Sequence, residues 1–169
     1  MLTIRYSKIS LVAAIALFCS LVSFGNITDP AINFSFVQHV LLMDTIFPNS
    51  GISYRSIHSP TLILFFYVII IGLETLSAIL CCLGTYKMLR AVKSSASLFN
   101  HAKKIAIIGL TCGFLVWQVG FMSIGGEWFG MWMSSQWNGV ESAFRFFITI
   151  LAVLIYVSMK DYEIENFPR

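Results

Sequence analysis

The sequence predicts an all-α membrane protein, a four-transmembrane-helix bundle with a short interfacial helix in the first outer loop. Three observations carry that expectation. Hydrophobic residues make up 57% of the chain and charged residues 11%, against roughly 25% charged in soluble domains. The apolar residues are gathered into long blocks rather than scattered. The basic residues fall in alternate gaps between those blocks, as they do when a chain crosses a bilayer repeatedly. All 169 residues form a single membrane domain.

A bilayer core of about 30 Å needs about 20 mostly apolar residues in a helix, and four stretches meet the requirement. The first, residues 9–25, follows Arg5 and Lys8. Its charged start, apolar run and small-residue end at Ser23-Phe24-Gly25 also fit a signal peptide, although no good Ala-x-Ala cleavage site is present. The outer loop 26–60 is long for a connection without structure of its own. Its apolar stretch, residues 33–43, reads as a short helix lying on or dipping into the membrane, ended by Asp44 and the turn at Pro48-Asn49-Ser50-Gly51. The second span covers 61–84, and a basic connection follows at 85–104 with Lys87, Arg90, Lys93, Lys103 and Lys104. The third span is 105–124, the second outer loop 125–142, and the fourth span 143–159 with Lys160 and Arg169 beyond it. Nine of the eleven Lys and Arg residues therefore share one side, leaving Arg55 and Arg145 on the other. The positive-inside rule puts both termini in the cytoplasm.

Helices in lipid associate through small residues and occasional hydrogen bonds. Such stripes are Ala13, Ala16, Ser20 and Ser23 in the first span, and Glu74, Ser77, Ala78 and Cys81 in the second. The third span offers Gly109, Gly113 and Gly120; the fourth offers Glu141, Arg145, Thr149, Ala152 and Tyr156. These stripes are expected to face one another. Cys19, Cys81, Cys82 and Cys112 all fall inside apolar blocks, so they read as small buried hydrophobes rather than a disulfide framework or metal set.

Few residues could carry chemistry. Glu74 is the one acid deep in a span, roughly 20 Å below the outer surface at about 1.5 Å per residue. A carboxylate there must be neutral, hydrogen-bonded or facing a polar cavity. It is a proton or cation site, a contact to a polar partner, or a neutral structural acid bonded to Thr111 or a neighbouring helix. Arg145 stands four residues after Glu141 on one helical face, the spacing of an ion pair, with Glu127 as a second partner. The pair reads as pinning the outer end of the bundle, or as meeting an anionic headgroup. Trp128, Trp132 and Trp137 occupy the second outer loop, where tryptophan anchors at the membrane interface or forms an aromatic docking surface. His39, Asp44 and His58 share the first outer loop, but their spacing does not demand a metal, which needs three or four converging ligands.

No cofactor is expected. His39, His58 and His101 lie outside the spans, which disfavours a haem between helices. Paired loop cysteines, Walker, HExxH and GxSxG sequences are absent, and a net charge of +3 is too small to suggest nucleic acid.

Three strings carry a resemblance. They are residues 33–45 (NFSFVQHVLLMDT), 125–132 (GGEWFGMW) and Trp137-Asn138-Gly139 running on to Ala143-Phe144-Arg145-Phe146. With the four-span layout they resemble a family of small predicted bacterial integral membrane proteins that has no assigned activity or catalytic residues. The resemblance implies a bacterial inner membrane and directs attention to the outer face, where all three strings fall.

The function expected is a non-enzymatic accessory or scaffold subunit that contacts the lipid bilayer and docks a membrane-protein partner, or a second copy, through its outer loops. The alternative is a small oligomeric transporter or proton-coupled carrier using Glu74. A third class, an enzyme acting on lipid or quinone, needs Glu127 and Arg145 to converge on a cavity.

Overall fold

A computed structural model describes residues 2–163. Arg169, counted above among the basic residues, lies outside them. Helix α1 (Leu2–Thr28) is followed after one residue by α2 (Pro30–Leu42), then by α3 (Pro60–Arg90), the short α4 (Ala96–Ala102), α5 (Lys104–Leu115) and α6 (Val140–Ser158). Between α5 and α6 the chain continues as a 13-residue π-helix, Val116–Trp128. Single 3-10 turns at Ser53–Arg55 and Met131–Met133 complete the order, and the described residues contain no strand. Four helical stretches are long and apolar enough to cross a membrane, namely Leu2–Thr28, Pro60–Arg90, Ala96–Trp128 and Val140–Ser158.

Local chemistry sets the breaks. Pro30 opens α2 at its first position, where a missing N–H costs nothing within that helix. In the preceding turn it costs a donor, because a proline at 30 cannot donate to the carbonyl of Asn26. The hydroxyl of Tyr67 donates there instead, 3.3 Å from Asn26 O and 3.3 Å from Pro30 O. Ser59 caps α3 ahead of Pro60, and Ser95 caps α4. At Gly130 the backbone takes φ 65°, so the turn out of the π-helix falls in the left-handed region that favours glycine.

The backbones of α3 and α5 come into direct contact at glycines. A Cβ added to Gly84 would meet the Ala106 backbone at 2.5 Å, and one on Gly109 would meet Cys81 N at 2.8 Å. The Ser77 hydroxyl uses this proximity to donate to Gly109 O at 2.9 Å. The glycine pair at 109 and 113 thus works as a close-packing surface. On α3 the small-residue stripe faces inward as expected, with Glu74, Ser77, Ala78 and Cys81 all buried. On α6 the expectation was wrong. Its buried face is Ala143, Ile150, Val153 and Val157, while Glu141, Arg145, Thr149 and Ala152 are exposed. Phe18, Trp117 and Phe146 fill the interior at that level with ring centroids 4.7–6.5 Å apart. An aliphatic seam packs against such rings better than a charged one. Cys82 also departs from expectation. It is exposed because its neighbour Cys81 takes the interior position, and the next residue on a helix points about 100° away.

The end where α1 begins and α6 finishes, here the basic end, holds buried charge. Arg5, Lys8 and Lys103 are each no more than 2% exposed. Lys8 and Lys103 donate to the same Asp161 oxygen at 2.8 and 2.6 Å, and both also donate to Met159 O. Arg5 donates to the Val92 and Ser94 carbonyls and covers the Phe99 ring. Asn100 exchanges two hydrogen bonds with the Asp161 backbone. The segment after α6 is thereby fastened beneath α1, α4 and α5. At α1 these ties explain why the helix begins before the apolar block: Arg5 and Lys8 are part of the packed core, whereas Lys87, Arg90, Lys93, Lys104 and Lys160 are exposed.

Candidate functional site

At the opposite end, two loops are drawn together around aromatic rings. His39 stacks on Trp137 with centroids 4.7 Å apart and planes 12° apart. Its Nδ1 lies 2.8 Å from the Asp44 carboxylate, and because a carboxylate oxygen accepts, the ring donates from that nitrogen. Thr45 Oγ1 and Ser134 Oγ are 2.8 Å apart, tying the first outer loop to the second. Arg55 donates to Trp128 O at 3.1 Å and lies over the Trp128 ring at 4.5 Å. Phe47 and Trp132 meet edge to face at 5.8 Å. Two loops distant in sequence therefore form one surface, with Phe47, Tyr54, Trp128 and Trp132 left exposed upon it.

The structure thus joins His39, Asp44 and Trp137, and places Trp128 and Trp132 on the same end. His58 is not part of this cluster; it pairs with Ser56. Arg145 bonds Glu141 on its own helix, and both side chains are largely exposed. No ion pair joins Glu127 to Arg145 among the described residues. The pair does not pin the bundle, since neither member reaches another helix, and Glu127 and Arg145 do not converge on a cavity. The pinning falls to the Thr45–Ser134, His39–Trp137 and Arg55–Trp128 contacts.

Glu74 is 5% exposed, and its partner is Asn26, whose Nδ2 donates to Glu74 Oε2. Thr111 is not involved; its hydroxyl bonds Ile107 O on its own helix. Asn26 reaches Glu74 from the last turns of α1, beside Tyr67 and beside the Ser23–Thr75 hydroxyl pair at 2.7 Å. A cavity of about 10 Å³ adjoins Glu74, lined by Phe18, Cys19, Val22, Ser77, Gly113, Val116 and Trp117. That volume admits about one water.

An apolar slot of about 800 Å³ opens in the aromatic half of the bundle. Below it, the glycines hold α3 and α5 together. Above Gly113 the chain loosens into the π-helix and the two helices part. One wall is the α3 face Phe66, Ile69, Ile70 and Leu73; the other is Leu115, Val119, Ile124 and Trp128; Phe36, Val37 and Val40 of α2 close the back. The lower end is shut where Cys112 Sγ donates to Leu73 O at 3.6 Å. Arg55 and Trp128 stand at the upper end. π-Helices are rare and recur at functional sites. In this one the looser winding repeats slot-lining positions every four to five residues: 115/116, 119/120, 124/125 and 128/129. Hydropathy does not distinguish that winding from an α-helix, so the sequence presents residues 105–124 as an ordinary span.

Among the described residues, no three His, Cys, Asp or Glu side chains gather as a metal set would require. Four apolar spans around a closed core, with a tied aromatic end and a laterally open slot, define an integral membrane protein. The chain belongs to the family of predicted small integral membrane proteins designated DUF2165, which matches residues 4–160. No curated protein and no solved structure matches it.

Proposed function

We propose that this chain is a non-enzymatic accessory or scaffold subunit of the bacterial inner membrane that docks a protein partner through its aromatic end. The observation that supports the reading is the preorganisation of that end. Phe47, Tyr54, Trp128 and Trp132 are exposed on loops already fastened by Thr45–Ser134 and Arg55–Trp128. Rigid aromatic anchors lose little entropy on binding and dominate interface energetics. The distribution of basic residues supports an orientation with the basic end, and so both termini, in the cytoplasm.

Purification from native membranes in mild detergent, followed by mass spectrometry, tests the reading. A stoichiometric protein partner is expected, and Trp132→Ala with Phe47→Ala should release it. Recovery of the chain alone, from several detergents, counts against the proposal.

A second reading is a small oligomeric transporter or proton-coupled carrier. It draws on Glu74, a carboxyl buried between α1 and α3 beside a water-sized cavity. It requires that Glu74→Gln abolish flux in proteoliposomes while folding is retained.

A further inference from the structure

We propose that the slot between α3 and the π-helix holds one acyl chain of an anionic phospholipid, whose phosphate sits on Arg55. The assignment does not depend on a protein partner.

Size and lining come first. A volume of about 800 Å³ lies within the range of dedicated small-molecule pockets, roughly 300–1,000 Å³. Its walls are Phe, Ile, Leu and Val, and it opens laterally past Ile69, Leu73, Leu115 and Val119, all exposed on the bundle surface. From Cys112 to Trp128 it extends about 24 Å at the α-helical rise, and less along the π-helix Val116–Trp128; with Trp128 in the headgroup zone, the lower end falls near the middle of a bilayer core of about 30 Å. A chain lying in it runs from the headgroup zone to the midplane.

Closure at the lower end selects the occupant. A transmembrane helix from another protein has to continue through the whole bilayer. Below Cys112–Leu73 there is no groove for it, because the α3 and α5 backbones are in contact at Gly109–Cys81 and Gly84–Ala106. A lipid tail ends at the midplane, where the slot ends.

Charge selects the headgroup. Arg55 is half-buried at the upper end, held by Trp128 O and by the Trp128 ring. It also donates from Nε to the Tyr54 hydroxyl at 3.4 Å and lies over the Tyr54 ring at 5.5 Å. Among the described residues no carboxylate pairs with it, and Nη2 has no acceptor. A guanidinium with donors unspent beside an apolar slot matches a phosphate oxygen in geometry and charge.

Full-length protein in mild detergent, titrated with phosphatidylglycerol and with phosphatidylcholine of the same chains, provides the test by native mass spectrometry. One phosphatidylglycerol should bind about tenfold tighter than phosphatidylcholine, and Arg55→Gln should remove that preference. Gly120→Leu should weaken both lipids at least tenfold. Gly120 lines the slot, and a Cβ there meets nothing within 4 Å, so the new side chain occupies lipid space without straining the protein. Gly72→Leu, equally unobstructed but outside the slot, should bind like wild type. Equal affinity of the wild type for the two lipids overturns the headgroup assignment. Identical binding by the Gly120→Leu and Gly72→Leu variants overturns the slot. Arg55→Gln breaks the Arg55–Trp128 tie but leaves Thr45–Ser134 and His39–Trp137 in place, so with phosphatidylcholine binding retained as the sign of an intact slot it decides the headgroup even if Gly120→Leu fails to fold.

Discussion

Asp161→Asn is the substitution whose consequence is largest for the smallest change in shape. One oxygen of Asp161 accepts from both Lys8 and Lys103, at 2.8 and 2.6 Å, with the three side chains 2–5% exposed. An amide preserves the volume and one acceptor but removes the only negative charge that the two ammonium groups contact among the described residues. Removing one partner of a buried ion pair costs about 3–5 kcal/mol, since the charge left behind is neither hydrated nor neutralised. Two lysines facing each other put this case at the upper part of that range. At about 2–4 °C per kcal/mol for a chain of this size, the melting temperature should fall by roughly 10 °C or more. Melting followed by size-exclusion recovery in detergent measures it. Lys103→Met combined with Asp161→Asn should recover part of the loss, because the double variant leaves one uncompensated ammonium instead of two. Acid provides an independent arm. Burial alone would raise the Asp161 carboxyl, but hydrogen bonds and charge from Lys103 and Lys8 outweigh it and hold the group below its ordinary 3.8. A depressed carboxyl contributes stability that is complete above pH 3.8 and is lost as pH falls from there through the folded value. That acid limb should be missing from Asp161→Asn. A variant melting within 1 °C of wild type would refute the reasoning, because the lysines would then be solvated rather than buried.

Three further predictions follow from the packing. Tyr67→Phe leaves Asn26 O without the donor that replaces the N–H missing at Pro30, and should cost about 1–3 kcal/mol. Gly84→Ala places a Cβ 2.5–2.6 Å from Ala106 backbone atoms that no rotamer change can move, and should cost about 1–3 kcal/mol; Gly72→Ala in the same melting assay should be neutral within about 0.5 kcal/mol. Arg145→Ala removes a largely exposed pair within one helix and should change stability by no more than about 0.5 kcal/mol; a loss of several degrees would show that Arg145 holds another element.

What could be read in advance follows the range of the forces involved. The four spans are legible because length and hydropathy are local properties. The inward face of α3 is legible because Glu74, Ser77, Ala78 and Cys81 share one helical side. The face of α6 is misjudged by the same logic, because its polar stripe was assigned to the interior. Near a helix end Glu141 and Arg145 satisfy each other on the outside, and the aromatic core around Trp117 takes the aliphatic side. Asn26 as the partner of Glu74 was within reach: Pro30 marks a carbonyl four residues back that has lost its donor, and so a helix break that brings polar groups into the membrane. The basic end was not. Lys8 and Asp161 are 153 residues apart, and long cationic side chains at a span boundary ordinarily reach water. Of the proposed outer-face residues, His39, Asp44 and Trp137 come together in space although no spacing rule connects them. The slot depends on a helix changing its winding, which side-chain type alone does not announce.

Photo-crosslinking in native membranes tests the central claim most directly. A photoreactive residue in place of exposed Trp132 reports what touches the aromatic end, with the same group in place of exposed Tyr86 near the basic end as reference. The account predicts one discrete protein adduct from position 132 and none of that mass from position 86. Lipid adducts alone from position 132, with no protein partner at any expression level, would contradict it and leave the tryptophans as membrane anchors.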